Sequence, residues 1–251
     1  MFGADSTLPL CAAAIAKALR PALASGPHGA LPLLATATSF TAGGHAGSEN
    51  FCDIAAGPVR RRDVARMLPF NHPACAVVRT GRQLRDWLVF ASGFFHQLTT
   101  GAEGPLVDPA FPSYHFDWIF GLTYRFDLGA PPGVAGRVTD LCHNGEPVRD
   151  DDRFIVATSS FRARGGGGQP PFPDHDIIAT TDVGMRDALA AYLQADGTAL
   201  PFSANVWHLS APPGAVGWAA TSATARMDEA PPGVFRTNRG DDGFAIVAKR
   251  F

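Results

Sequence analysis

Two short runs in this 251-residue chain set an aromatic ring among polar and charged neighbours. They are Pro112-Ser113-Tyr114-His115-Phe116-Asp117 and Ser160-Phe161-Arg162-Ala163-Arg164-Gly165, the second continuing through Gly166, Gly167 and Gly168. A strand-end loop of this composition can turn a ring face toward a planar ligand, while the glycines let backbone approach closely. Tyr114 and Phe161 are the candidate stacking rings. Asp117 is a candidate hydrogen-bond acceptor for the ligand and Arg162, with Arg164, a candidate partner for phosphate. Gly165 and Gly166 shape the second loop. A third run, Asp174-His175-Asp176, has metal-ligand residue types but follows a proline-rich stretch and has no partner motif, so it reads as loop. Asn71-His72 after Phe70 likewise lacks a second ligand cluster.

The signatures of several enzyme classes are missing. There is no G-x-S-x-G elbow, no P-loop, and no G-x-G-x-x-G between a strand and a helix. The four glycines precede Gln169-Pro170-Pro171 and so open no helix. Cys11, Cys52, Cys75 and Cys142 are scattered, without C-x-x-C spacing, which argues against zinc and leaves disulfides open. No catalytic centre is evident. With 21 Lys and Arg against 23 Asp and Glu, charge gives no case for duplex nucleic acid or an anionic membrane. The first five residues lack a basic segment and a long apolar run, which predicts no signal peptide.

The elements that would position these loops follow from periodicity. Leu10 to Leu23 has helical spacing, with Pro21 expected to end or bend it; its Lys17 and Arg20 make it an amphipathic helix, not a membrane span. Leu31 to Thr38 and Ala74 to Val78 have strand character, and Arg60 to Arg66 is a short basic segment between them. Thr80 and Gln83 fit a capping box opening a helix whose apolar face runs from Leu84 through Trp87, Leu88, Ala91, Phe94 and Phe95 to Leu98. Gly121 to Leu128 alternates as a half-buried strand, and Val138 to Leu141 pairs with Pro147-Val148 across an Asn144-Gly145 turn. Phe154 to Thr158 is another strand. Asp182 is expected to cap a helix that ends at Gly197, and strands near Ala215 to Thr221 and Phe244 to Lys249 close the chain. Helices and strands mix without strict βαβ alternation, and 27 Gly with 21 Pro promise many loops. The expectation is an α+β fold: a single domain, residues 1–251, with a mixed β-sheet packed by helices.

Nine segments in fixed order carry a family resemblance: Pro32 to Leu34, Ala42 to Gly44, Asp53 to Gly57, Leu68 to Asn71, Thr80 to Leu84, Pro112 to Asp117, Gly121 to Tyr124, Asn144 to Pro147, and Phe154 to Thr158 followed by Gly165 to Gly167. Together they resemble the C-terminal domain of the 5′-nucleotidase family. The Pro-Ser-Tyr-x-Phe-Asp and glycine runs point to its periplasmic 2′,3′-cyclic-nucleotide 2′-phosphodiesterase/3′-nucleotidase branch. The resemblance implies a nucleotide-specificity domain that sandwiches a base between two rings, here Tyr114 and Phe161. It implies that hydrolysis belongs to an N-terminal metallophosphoesterase domain absent from this chain, with divalent metals such as Mn or Zn held there and no cofactor here. The implied ligands are adenosine, 3′-AMP and 2′,3′-cyclic nucleotides, and the implied location is the periplasm. His115 stands where the family commonly has Asn, Ser159-Ser160 where it has two amides, and His45 where it often has Arg. Two other readings compete: a protein-interaction module that has lost the nucleotide, and a self-sufficient hydrolase around Asp174, His175 and Asp176.

Overall fold

In the computed structural model, which describes residues 7–24, 26–196, 199–225, 227–228 and 230–251, helix α1 (Thr7–Ala24) buries Leu8, Cys11, Ile15, Leu19 and Leu23. Pro21 lies inside its last turn, where it removes one backbone bond near the frayed end and does not stop the helix. By length and composition α1 could cross a membrane; here its apolar surface packs on strands and on a later helix. Four strands and two helices come next: β1 (Leu33–Thr38), α2 (Arg61–Met67), β2 (Pro73–Thr80), α3 (Gly81–Ala91), β3 (Glu103–Pro105) and β4 (Asp117–Phe120). They are followed by β5 (Leu122–Asp127), β6 (Val138–His143), β7 (Glu146–Pro147), β8 (Arg153–Ser159) and the one-turn α4 (Ser160–Ala163). The chain ends with β9 (Ile177–Gly184), α5 (Met185–Asp196), β10 (Trp207–Ser210), β11 (Val216–Thr221), β12 (Val234–Asp241) and β13 (Phe244–Arg250).

The α+β class holds, but the strands form three sheets where one was expected. Their orders are β4-β1-β8-β2-β9, β10-β5-β6-β7 and β12-β13-β11-β3. The first is mixed: β1 runs parallel to β8 and antiparallel to β4, while β8 and β9 flank β2 antiparallel. Registers in this sheet decide where function can sit. Thr38 pairs with Asp117, Ala74 with Ser159, and Pro73 with Gly184. The end of β1, the loop before β4, the loop after β8, the segment before β2 and the start of α5 therefore meet at one end of the sheet.

Several local expectations are met in detail. The Thr80 hydroxyl accepts the Gln83 N–H at 3.2 Å, and the Gln83 side chain accepts the Thr80 N–H at 2.8 Å, so the box caps α3. Alternation in β5 buries Leu122, Tyr124 and Phe126. Asn144 and Gly145 take positive φ values of 51° and 85° in the β6–β7 hairpin, as a two-residue turn requires. Others are corrected. Helix α3 stops at Ala91, and a 3-10 turn at Ser92–Phe94 carries Phe94 and Phe95 into the core. Asp182 lies within β9 and caps nothing, because that strand continues to Gly184, where it pairs with Pro73. Gly197 lies outside the described residues. None of the four cysteines forms a disulfide.

A buried arginine joins the first sheet's surroundings to the second sheet. Arg137 is fully buried, and its guanidinium donates to the carbonyls of Phe95 (2.6 Å), His96 (3.0 Å), Asp127 (3.2 Å) and Ala130. Burial lowers its pKa to about 10, against the pull of Asp127, so it is charged at neutral pH. Arg137→Ala would take the guanidinium donor from four carbonyls, of which that of Asp127 still accepts the Ala130 N–H at 3.3 Å. The expected loss in urea unfolding is about 3 kcal/mol or more, and a loss below about 1 kcal/mol would show that water replaces the guanidinium without penalty.

Candidate functional site

The loop before β4 is fixed by the strand it faces. Thr38 donates from its hydroxyl to the carbonyls of Ser113 (3.1 Å) and Phe116 (3.0 Å), holding a 3-10 turn at Ser113–His115 against the end of β1. The loop after β8 is fixed by its own cap. Ser159 accepts the Arg162 N–H at 3.0 Å and so starts α4. Neither ring is core: Tyr114 is 43% and Phe161 47% exposed.

What couples the two loops is an ion pair. Arg162 and Asp117 are both buried and meet in two contacts, Nε to Oδ2 at 2.8 Å and Nη2 to Oδ1 at 3.0 Å. The same guanidinium donates to the carbonyls of Tyr114 (2.6 Å) and Gly166 (2.5 Å), and Trp87 donates its indole N–H to Asp117 Oδ2 at 2.9 Å. Desolvation pushes the Asp117 carboxyl above its ordinary value; Arg162 and the Trp87 hydrogen bond pull against it. The polar atoms of Asp117 and Arg162 are thus engaged by the protein itself. Both still line the cavity, where their contacts with each other tie the two ring-bearing loops together.

The glycines answer to the same contact. A Cβ on Gly166 would overlap the Phe161 ring, and one on Gly167 would overlap the Arg162 guanidinium. Gly165 is left-handed, φ 89° and ψ 11°, which turns the chain back under α4. His115 is half-buried, with its ring edge-on to both Phe111 and Tyr114. Burial first, and the Arg162 charge second, hold its pKa below the ordinary histidine value. The side chain of His45 lies outside the described residues.

These pieces line a cavity of about 670 Å³. Tyr114, Phe161, Asp117 and Arg162 share it with the buried Thr36, Thr38, Thr158 and Ile15, and with Phe40, Asn50, Phe70, His72 and the buried Met185. The sequence does not single out the last five as site residues. Rings run in contact along one wall: Phe40 to Phe70 edge-on at 5.5 Å, Phe70 to His72 stacked at 5.9 Å, and His72 to Phe161 stacked at 5.1 Å with 14° between planes. Asn50 contributes a side-chain amide that no other described residue engages. Outside the partition made by Phe161 and His72, an open recess of about 400 Å³ is lined by Ser160, Arg164, Gly165 and Gly166. Asp176 is not part of either space. It takes the buried Arg79 at 2.8 Å, and among the described residues no three His, Cys, Asp or Glu side chains converge as a metal site.

Residues 9–174 match the family described as 5′-nucleotidase, C-terminal domain. The chain is 30% identical over 192 residues to the trifunctional nucleotide phosphoesterase protein YfkN of Bacillus subtilis, covering 72% of this chain and 13% of that one. It is 29% identical over 195 residues to a 2′,3′-cyclic-nucleotide 2′-phosphodiesterase/3′-nucleotidase of Haemophilus influenzae, covering 70% of this chain and 30% of the relative. Among solved structures, a 5′-nucleotidase precursor from Thermus thermophilus superposes with a TM-score of 0.53 at 18% identity, over 80% of this chain and 34% of that one. The NAD nucleotidase of Haemophilus influenzae superposes with a TM-score of 0.52 at 17% identity, over 78% and 32%. The chain therefore spans less than a third of these curated relatives and about a third of these solved chains.

The buried pair gives a pH-dependent prediction. Removing the cation in Arg162→Leu leaves Asp117 desolvated and unpaired, so its folded pKa rises further above that of the unfolded chain. A carboxyl with a raised folded pKa contributes least once pH has risen through that value. The variant is expected to lose about 3–5 kcal/mol of stability at pH 7, with a smaller loss near pH 4 and recovery in Arg162→Leu/Asp117→Asn. Equal losses at both pH values in urea titrations would contradict a charged pair. His115 titrates in the other sense: its lowered folded pKa means stability is complete above the unfolded value of 6.5 and falls as pH drops below it. Its NMR midpoint is expected below 6.5, and a midpoint above that value would mean burial does not govern this ring.

Proposed function

The chain belongs to the 5′-nucleotidase C-terminal domain family, and from this premise we propose that it is the nucleotide-specificity part of a phosphohydrolase of the 2′,3′-cyclic-nucleotide 2′-phosphodiesterase/3′-nucleotidase type. The observation that carries the proposal is that two exposed rings, Tyr114 and Phe161, line one cleft whose lining also includes the buried Asp117–Arg162 ion pair. A purine or pyrimidine enters between them, the sugar lies toward the mouth near Asn50, and the phosphate projects outward. Hydrolysis falls to a partner domain of the metallophosphoesterase class that holds the divalent metals, Mn or Zn. Asp174 and His175 stand exposed beside an Asp176 engaged by Arg79, and among the described residues no three potential ligands converge, which supports leaving the metals to that partner domain. The ligands are adenosine, 3′-AMP and 2′,3′-cyclic nucleotides, met in the periplasm. The competing protein-interaction reading is not favoured, because Phe70, Tyr114 and Phe161 line a concave cleft and not a flat patch.

Each base–aromatic stack contributes about 1–3 kcal/mol. Two of them, less the cost of immobilising the ligand, give a dissociation constant on the order of a millimolar. Calorimetric titration with adenosine and 3′-AMP is expected to saturate in that range, with no phosphate released in added Mn²⁺. Phe161→Ala should weaken adenosine about tenfold or more while leaving thermal unfolding nearly unchanged, since the ring is half exposed. Unaltered affinity in that variant removes Phe161 from the site; phosphate release by the wild-type chain would overturn the division of labour.

A further inference from the structure

Four of the chain's 21 Lys and Arg fall within residues 60–66: Arg60, Arg61, Arg62 and Arg66. Helix α2 explains why all four are exposed. Its buried residues, Val64 and Met67, form one stripe where α2 packs against α1 and α5, and the arginines fall outside it. Asp63 is the one acid in the run. Its carboxylate accepts the Arg60 N–H at 2.8 Å and lies 3.8 Å from Arg62 Nε, so it offsets at most one of the four charges. Among the described residues no acid pairs with Arg60, Arg61 or Arg66. The cluster is local, since acids outnumber Lys and Arg over the whole chain by 23 to 21. Nor does it serve the helix: like charges one turn apart repel, and cations in a first turn oppose the macrodipole.

Three contacts place this cluster next to the cleft. Thr41, a lining residue, donates its hydroxyl to the Arg66 carbonyl at 3.4 Å. Beyond α2 the chain runs through Leu68 into Pro69 and Phe70, which also line the cleft. Arg186 pins that junction, its Nε donating to the Leu68 carbonyl at 2.9 Å and its Nη2 to that of Pro69. The arginines therefore start beside the cleft and extend from it along a helix about 10 Å long. Inside the cleft, Arg162 is the one Lys or Arg among the described lining residues, and Asp117 with the carbonyls of Tyr114 and Gly166 takes up its guanidinium. An anionic strand attached to a cleft ligand thus meets uncommitted arginines on α2. One phosphate gains little from one solvated arginine, but several in series displace counterions together, and each guanidinium fork matches a phosphate. An acidic peptide has the charge but no planar ring for the adjoining cleft. We infer that Arg60, Arg61, Arg62 and Arg66 form a docking surface for the phosphodiester backbone of a single-stranded oligonucleotide whose terminal nucleoside occupies the cleft. The substrate class thereby extends from mononucleotides to strand ends. The inference rests on the proposed nucleoside-binding role of the cleft, and it assigns residues outside the cleft lining.

Affinity and its salt dependence test this. Tetra-adenylate ending in a 3′-phosphate is expected to bind the wild-type chain about tenfold or more tighter than 3′-AMP at low salt. Its log affinity should fall against log salt with a slope of about −0.7 for each phosphate engaged, while uncharged adenosine shows almost no slope. Arg61→Glu/Arg62→Glu should weaken the tetranucleotide about tenfold or more and make its slope shallower by about 1.4, the share of two phosphates. Glutamate is favoured in the first turn of a helix, so α2 is retained. Arg61→Gln/Arg62→Gln, which removes charge without reversing it, is the milder second variant, with a smaller loss in the same direction expected. Wild-type tetranucleotide affinity in both folded variants overturns the inference, as does tetra-adenylate that binds the wild-type chain no tighter than 3′-AMP. Tetraglutamate binding as tightly as the tetranucleotide also overturns it, in favour of an acidic protein partner. Adenosine that fails to bind removes the nucleoside reading and with it the placement of the strand's end, while the arginine variants still decide whether α2 holds the phosphates.

Discussion

The Asp117–Arg162 pair is the contact on which the cleft depends. Two charges have been taken out of water, which is unfavourable unless both are fully satisfied. Here they are: the carboxylate receives the guanidinium and the Trp87 indole, and the guanidinium also reaches the carbonyls of Tyr114 and Gly166. Those two carbonyls belong to the two ring-bearing loops, Tyr114 lining the cleft and Gly166 the neighbouring recess. One planar side chain with a fixed fork of donors thus sets the separation of the two ring-bearing loops. Lysine, a flexible point charge, could not bridge the same four acceptors. The glycine at 167 follows from this: the guanidinium occupies the space a Cβ would need.

The sheet makes such a contact possible between residues 45 apart in the chain. Asp117 begins β4 and Arg162 lies three residues beyond β8, and both strands flank β1. Parallel pairing of β1 with β8 and antiparallel pairing of β1 with β4 bring the start of one and the end of the other to the same edge. Antiparallel pairing of β2 with β8 and β9 adds residues 68–72 and the first turn of α5. A site assembled from strand ends inherits the rigidity of the sheet while its ring-bearing residues remain at the surface. Preorganisation of this kind matters most when intrinsic affinity is low, as for two stacking contacts, because every freedom left in the rings would reduce it further.

How much of this is legible in the sequence follows the range of the interactions. Local signals are readable: the Thr80–Gln83 cap, the alternation in β5, the Asn144-Gly145 turn, and both aromatic loops. Asp117 and Arg162 are visible as charged neighbours of those rings, yet their sequence context suggests that they face the ligand, since no pattern says that a carboxylate and a guanidinium so far apart will meet each other. Phe70 and His72 escape notice as cleft residues for a related reason. Their place follows from the register of β2 on β8 and β9, and β9 itself has a half-exposed, bulged pairing that gives no clean alternation. Asp182 resembles a helix cap because the strand that contains it is mostly polar at that point. Arg137 carries no signal at all: an arginine buried against four carbonyls has the same letter as one on the surface.

The polar groups around the cleft bear on what it can tell apart. Thr36 bonds Thr158, Thr38 bonds the carbonyls of Ser113 and Phe116, and Ser159 caps α4. Asp117 and Arg162 satisfy each other. Among the described lining residues this leaves the Asn50 amide, the His72 imidazole and the Tyr114 hydroxyl as side-chain groups with no hydrogen bond to another described residue. A site discriminates strongly between bases when buried donors and acceptors would be left unpaired by the wrong one. Here the donors and acceptors along the floor are already paired before any ligand arrives, so a wrong base edge strands nothing. Selection then rests on planarity and on the space between rings, to which every base conforms because every base has a π face. A cleft of this composition accepts planar rings of many kinds and discriminates little among them.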